Sequence, residues 1–273
     1  MPNTLESYLV RLQRASKFNS IEASPSELET LASWIHSAFS DSTLIHESRK
    51  YKNAYSILPD IREAAPLAMG MRVYCDVDDS EPFLSLPQNL NRMNIFVYPM
   101  PSVEIMSTCA ILDDFAFIFV SNEKINIEGL YGIARQLGNL FVATMRKKSS
   151  AQDLVIFSRG SDCPVYGKYE RFADYFALEL LIPSKGLGIA LQKIRHHFQV
   201  SNKALGDVEL LYLSRIFGTS FSAICRRCER AQLLPRGGAR ALIRFLDQEF
   251  GGAEKRADLL KLPSRPQIAL TFS

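Results

Sequence analysis

The sequence predicts an α+β protein in which a small, mostly antiparallel sheet packs against helices and is followed by a helical C-terminal region. Three observations carry this. The segments NIFVYP, VEIMSTCAIL and FAFIFVSN, beginning near Met93, are β-rich and separated by turn residues. The apolar spacing then becomes helical, with Leu130, Ile133, Ala134, Leu137, Leu140 and Phe141 on one side of a helix through Met145. At 273 residues and 47% hydrophobic content, the chain is long enough to bury a core in one large or two modest domains.

Taken in order, residues 4–15 and 25–40 have helical spacing. The second run opens with Ser24-Pro25-Ser26-Glu27, a hydroxyl and an early proline suited to a helix start, and it turns Trp34, Ile35 and Ala38 toward a core. Between residues 41 and 90 the pattern weakens. A basic patch at Arg49-Lys50-Tyr51-Lys52 precedes a short strand at Met71–Cys75, and the acidic run Asp76–Glu81 with Pro82 and Pro87 reads as a loop. After the three strands and the helix from Leu130, Arg146-Lys147-Lys148 matches the dipole of a last helical turn. Residues 151–168 read as a loop or short strand containing DLVIF, and a helix over Tyr169–Leu181 is stopped by Pro183. Shorter helices follow over 186–198, 204–217, 220–232 and 238–249. The chain thus divides into an N-terminal helical and mixed region over 1–90 with no assigned role, a core over 91–185, a basic helical region over 186–250 and a peripheral tail over 251–273.

Charge is uneven. Residues 185–245 hold eleven Lys or Arg against three Asp or Glu, a surplus of +8 that leaves −5 for the rest of a chain of net charge +3. Such a surplus serves a nucleic-acid face, an acidic protein partner or a solvated helical surface. Within it, two helical stretches divided by Gly218-Thr219-Ser220 have the layout of a helix-turn-helix, and Arg215, Arg226, Arg227 and Arg230 are the candidate contacts to phosphate or an acidic partner. The competing reading packs Leu210, Leu211, Leu213, Ile216, Phe217, Phe221 and Ile224 on the core. The opening MPNTLESYLVRLQRAS is amphipathic rather than a signal peptide, and no stretch approaches the roughly 20 apolar residues of a membrane span, so a cytoplasmic protein without a membrane partner is expected.

Five scattered cysteines do not form a disulfide framework. Cys225 and Cys228 have CxxC spacing but lack the second pair of a structural zinc site. Ser107, Thr108 and Cys109 have no histidine near them in sequence, His36 and His46 lie in the N-terminal region, and a nucleophile needs a positioned base. The turns Arg159-Gly160-Ser161-Asp162 and Arg236-Gly237-Gly238 follow no nucleotide-binding pattern and read as loops.

The order strand, strand, IFVSN, a helix with ARQLGN and then YERFADYFALELLIPS resembles the ImmA/IrrE family of bacterial and phage-associated metallopeptidases. The resemblance covers residues 93–235 and implies a zincin-like core over 91–185. It also implies an AHELGH-type zinc helix and a later ExxANxFAxxLLMP helix supplying the third metal ligand. Ala134, Leu137 and Gly138 match the first motif, but Arg135 and Asn139 stand at the two histidines and Gln136 at the catalytic glutamate. The second motif is better kept, in Glu170, Ala173, Asp174, Phe176, Ala177, Leu180, Leu181 and Pro183.

An HExxH helix points two imidazoles at one ion while the glutamate takes a proton from the bound water. Arginine has no free lone pair, asparagine is a feeble zinc ligand and glutamine is no base near neutral pH. No metal and no cofactor are therefore expected. Glu170, left as the one surviving carboxylate, is expected to pair with Arg135, with Gln136 and Asn139 hydrogen-bonding nearby and Asp174 competing as the acidic partner. Members of the family are associated with cleaving or controlling helix-turn-helix repressors in mobile elements and stress responses. The resemblance thus implies an inactive metallopeptidase-like protein that regulates transcription by binding a protein, such as a helix-turn-helix regulator. The alternatives are direct DNA binding through the basic C-terminal helices and hydrolysis with a non-standard site.

Overall fold

The computed structural model describes residues 4–18, 25–40, 60–100, 106–112, 115–122, 125–146, 154–158, 167–202 and 204–270. Strands β1 (Ile95–Met100), β2 (Ser107–Leu112), β3 (Phe115–Ser121) and β4 (Leu154–Ser158) form one sheet of order β1-β3-β2-β4. β1 runs parallel to β3, whereas the β3–β2 and β2–β4 pairings are antiparallel. The fold is mixed α+β and mostly helical.

Because successive residues of a strand face opposite ways, the sheet divides its apolar side chains between two cores. Phe96, Met100, Ala110, Phe117 and Phe119 face α1 (Leu5–Phe18) and α2 (Pro25–Ser40), which contribute Tyr8, Leu12, Leu31 and Ile35. Trp34 stacks on Phe119 with ring centroids 5.9 Å apart. Ile95, Val97, Cys109, Ile111, Ala116, Ile118 and Val120 face the larger core, where α5 (Leu130–Arg146) presents Leu130, Ile133, Ala134 and Leu137. A π-helical turn at Ile125–Gly129 leads into α5.

Residues 60–92 belong to that larger core. The expected strand at Met71–Cys75 is instead the end of helix α3 (Ala64–Tyr74): Ala64, Ala68, Met71 and Arg72 are its buried residues, a helical spacing that a five-residue β window cannot register. Arg72 is fully buried. Its guanidinium donates to the Leu180 carbonyl at 2.6 Å and to the carbonyls of Asp78 and Glu81, and it lies 5.5 Å from the Phe83 ring centroid. One side chain thus fastens the acidic turn after α3 to the end of α6 (Gly167–Leu181). The same turn docks on the start of α7 (Ser184–His197), where Gly186 N donates to Asp79 O at 3.0 Å and Lys185 pairs with Asp79 at 2.6 Å. Helix α4 (Leu86–Arg92), within the stretch expected to be loop, carries the chain into β1.

The C-terminal helices are α8 (Asp207–Ile216), α9 (Phe221–Arg230), α10 (Gly238–Phe250) and α11 (Ala253–Leu259). The segment expected to be peripheral is tied down through residue 270. Arg265 donates to Glu254 at 2.6 Å and to the Thr219 carbonyl, and Glu254 also takes Arg215 at 2.8 Å. Gln88 donates to the Ala269 carbonyl at 2.7 Å, and Ile268 is buried. Burial raises the Glu254 carboxyl, but Arg265 and Arg215 outweigh it and hold it below its ordinary range. The basic patch at 49–52, His46, Cys163 and the turn at 159–162 lie outside the described residues.

Candidate functional site

Helix α5 crosses α6 at the two motifs singled out from the sequence, and Gly138 sets how closely they approach. A Cβ on Gly138 would lie 2.9 Å from the Ala173 Cα and 3.2 Å from a Phe176 ring carbon. Phe141 meets Phe176 edge-on just beyond, with centroids 5.4 Å apart.

The side chains of Gln136 and Asn139 are turned into packing contacts. Gln136 is fully buried and donates to the backbone carbonyl and hydroxyl of Ser107, both at 3.1 Å. Asn139 donates to the Gln136 carbonyl oxygen at 2.9 Å. Gln136 therefore anchors α5 to β2, and Asn139 braces Gln136. Arg135 is 6% exposed, and its Nε has no hydrogen-bond partner. A protonated guanidinium beside two amides is no donor set for zinc, so these residues do not fit the metal that the zinc motif serves.

The expected Arg135–Glu170 ion pair does not form among the described residues. Glu170 sits exposed in the first turn of α6, and the carboxylate at the centre is Asp174, one turn later and 1% exposed. Asp174 accepts from Arg226 Nη1 at 2.6 Å, from Arg230 Nη2 and from the Tyr131 hydroxyl. Arg226 lies over the Tyr131 ring at 4.9 Å and Arg230 over Tyr175 at 4.8 Å. Three helices distant in sequence, α5, α6 and α9, thus meet at one aspartate. Its burial raises its carboxyl, and the two arginines and the Tyr131 hydroxyl overcome that, leaving it below the usual carboxylate range. The Tyr131 hydroxyl is pushed up to about 12, chiefly by burial.

The four arginines expected to contact nucleic acid are engaged internally. Besides Arg226 and Arg230 on Asp174, Arg227 is 2% exposed and donates to Glu179 at 2.8 Å, the Ile182 carbonyl at 2.8 Å and the Ser184 hydroxyl at 2.7 Å. Arg215 is spent on Glu254. Helices α8 and α9 do meet at 108°, within the range of helix-turn-helix units. However, the second helix buries Phe221, Ala223, Ile224, Cys225 and Cys228 in the core, where a recognition helix would need an open face. Burial raises both thiols of the CxxC pair, that of Cys228 to about 12, so neither forms a thiolate near neutral pH. Ser107, Thr108 and Cys109 are also buried.

Sequence reasoning offered Asp174 as an alternative partner of Arg135 and did not join it to Arg226 and Arg230; it weighed Ser107 only as a nucleophile and missed Tyr131. Tyr131 was findable, standing one turn before Arg135 on the same face of α5. No sequence signal joins Ser107 to Gln136, since that contact depends on how β2 lies under the helix. No protein-family model and no curated protein matches the chain. Among the described residues no single helix is long and apolar enough to cross a membrane.

Proposed function

We propose that the chain is a non-catalytic relative of the ImmA/IrrE metallopeptidases that acts in the cytoplasm by binding a protein partner, with a helix-turn-helix transcriptional regulator as the partner class. The observation that carries this reading is the fate of the three zinc-motif positions. Gln136 and Asn139 hydrogen-bond to Ser107 and to each other, and Arg135 brings a fixed positive charge where a cation would have to bind. Neither a ligand pair nor a general base is left among these side chains. The scaffold that would present a substrate, meanwhile, is well packed through Gly138 and Ala173. Binding without cleavage is the activity that such a scaffold retains. The partner class comes from the family resemblance and is an analogy.

The test is recovery of the tagged chain from native extract after nuclease treatment, followed by intact-mass analysis of what stays bound. The reading expects one stoichiometric protein of full length. Cleaved fragments of that protein would overturn the non-catalytic assignment, and retention that disappears with the nucleic acid would replace the partner by DNA. The variant carrying Arg135→His, Gln136→Glu and Asn139→His tests the ancestry separately. It is expected to bind zinc where the parent does not, and failure of the folded variant to bind zinc would remove the peptidase alignment.

A further inference from the structure

Helix α10 and the turn before it hold positive charge that no carboxylate of the chain answers. Elsewhere in the basic region Arg195, Arg215, Arg226, Arg227 and Arg230 each meet an Asp or Glu. Arg236, Arg240 and Arg244 do not. All three are exposed, and among the described residues none of them has an ion pair or a side-chain hydrogen bond. The nearest upstream carboxylate is engaged on the backbone: Glu229 accepts from Gly237 N and Ala239 N, both at 2.9 Å, and so caps the start of α10.

The spacing along α10 sets these arginines on its outer side. Ala239 and Leu246 are buried, Leu242, Ile243 and Phe250 pack against the core, and Arg240, Ala241, Arg244, Phe245 and Gln248 turn away from it. Arg240 and Arg244 stand one turn apart, about 6 Å along the axis. Like charges at that spacing weaken an isolated helix. The charges also oppose the helix dipole: Arg240 lies in the first turn, Asp247 and Glu249 lie in the last, and no acidic residue opens the helix or basic residue closes it. The pattern therefore does not serve the stability of α10. Beside Arg244 the outer side carries a fixed aromatic ring. Phe245 is 45% exposed and meets Phe250 nearly edge-on with centroids 5.8 Å apart, and Phe250 in turn lies 4.2 Å from the Arg256 guanidinium.

We infer that this outer face is a docking surface for an acidic segment of a partner protein, which brings carboxylates to Arg236, Arg240 and Arg244 and an apolar side chain to Phe245. Guanidinium forks match carboxylates in geometry. Arginine and aromatic side chains are also the types that carry most of the energy of protein interfaces. A phosphate backbone would gain nothing comparable from Phe245 and would be repelled by Asp247 and Glu249 at the far end of the same helix. The surface is distinct from the crossing of α5 and α6, and it holds whether or not the chain descends from a peptidase.

The experiment follows the fluorescence anisotropy of a labelled synthetic helical peptide, with glutamate at every fourth residue and leucine beside it, titrated with the full chain. The same peptide with glutamine for glutamate, and a duplex DNA of about 20 base pairs, two helical turns, are the comparison probes. Saturable binding of the glutamate peptide is expected, with at least about tenfold weaker binding of the glutamine peptide. Arg240→Gln and Arg244→Gln should each weaken the glutamate peptide by about tenfold, the loss of one charge-assisted contact, and Phe245→Ala should weaken it without changing its salt dependence. Arg92→Gln, exposed on α4, should leave it unchanged. Arg240 and Arg244 have no partner within the chain to lose, so their variants should keep the parent's Tm, which separates loss of docking from loss of fold. Absence of saturable binding, equal binding of the glutamine peptide, or unaltered affinity in both arginine variants would overturn the surface. Tighter binding of the duplex would overturn it in favour of nucleic acid, and a parent dimer in sedimentation that Arg244→Gln dissociates would overturn it in favour of a second copy of the chain.

Discussion

Replacing Asp174 by Asn keeps the shape of the side chain while removing the charge that Arg226 and Arg230 share. Asp174 is 1% exposed and accepts from Arg226 at 2.6 Å, from Arg230 and from Tyr131. Removing one partner of a buried ion pair costs about 3–5 kcal/mol, because the opposite charge stays behind without compensation. Here the arginine side chains keep 21% and 28% exposure, so water recovers part of the loss, and the expected cost is about 3 kcal/mol. For a chain of this size that is a fall in Tm of about 6–12 °C. Urea denaturation of Asp174→Asn beside the exposed control Glu249→Gln measures it directly, with the control staying within about 0.5 kcal/mol of wild type. A loss for Asp174→Asn no larger than that of the control would refute the claim that this aspartate joins α5, α6 and α9.

The same carboxylate predicts an acid limb: its folded pKa lies below its unfolded value, so its contribution is fully present above about pH 5 and is lost as pH falls through the folded value. The stability difference between wild type and Asp174→Asn should accordingly be larger at pH 7 than at pH 3 in urea titrations. Arg72→Met strands the carbonyls of Leu180, Asp78 and Glu81 and should cost about 3 kcal/mol, at roughly 1 kcal/mol for each lost partner, read from the denaturation midpoint. Gly138→Ala gains about 1 kcal/mol of helix propensity but drives a Cβ to 2.9 Å from the Ala173 backbone; a net loss of about 1–2 kcal/mol is expected, and a stabilised variant would show that the helices separate easily. Arg265→Ala should release residues 262–270, seen as faster limited proteolysis at that end.

The elements legible in the sequence were those whose own period declares them. The three strand segments became β1, β2 and β3, DLVIF supplied β4, and the stripe from Leu130 to Phe141 became the buried side of α5. The misses were cases where a short window held a misleading local pattern or where distant residues decided the outcome. Met71–Cys75 looked β-like in isolation, yet Ala64 and Ala68, two turns and one turn before Met71, begin the helix that buries Met71 and Arg72. The tail looked peripheral by composition because Arg265 and Pro266 are common on surfaces. Their partners, Glu254, Thr219 and Gly218, lie where only the folded chain can bring them.

The candidate site shows the same limit more sharply, since a count of charge cannot tell a solvated arginine from one that is spent. The surplus of +8 in residues 185–245 invited a nucleic-acid reading, but its central members answer carboxylates elsewhere in the fold: Arg226 and Arg230 answer Asp174, Arg227 answers Glu179 and Arg215 answers Glu254. Those carboxylates sit in α6 and α11, outside or at the margin of the basic region, so the excess in one segment is the deficit of another. This pairing makes α9 part of the core that the sequence had placed upstream. It also moves the work of these arginines from the outer surface of the basic helices to the junction of α5, α6 and α9. There, one buried aspartate accepts from Arg226, from Arg230 and from the Tyr131 hydroxyl, and so holds three helices at a single point.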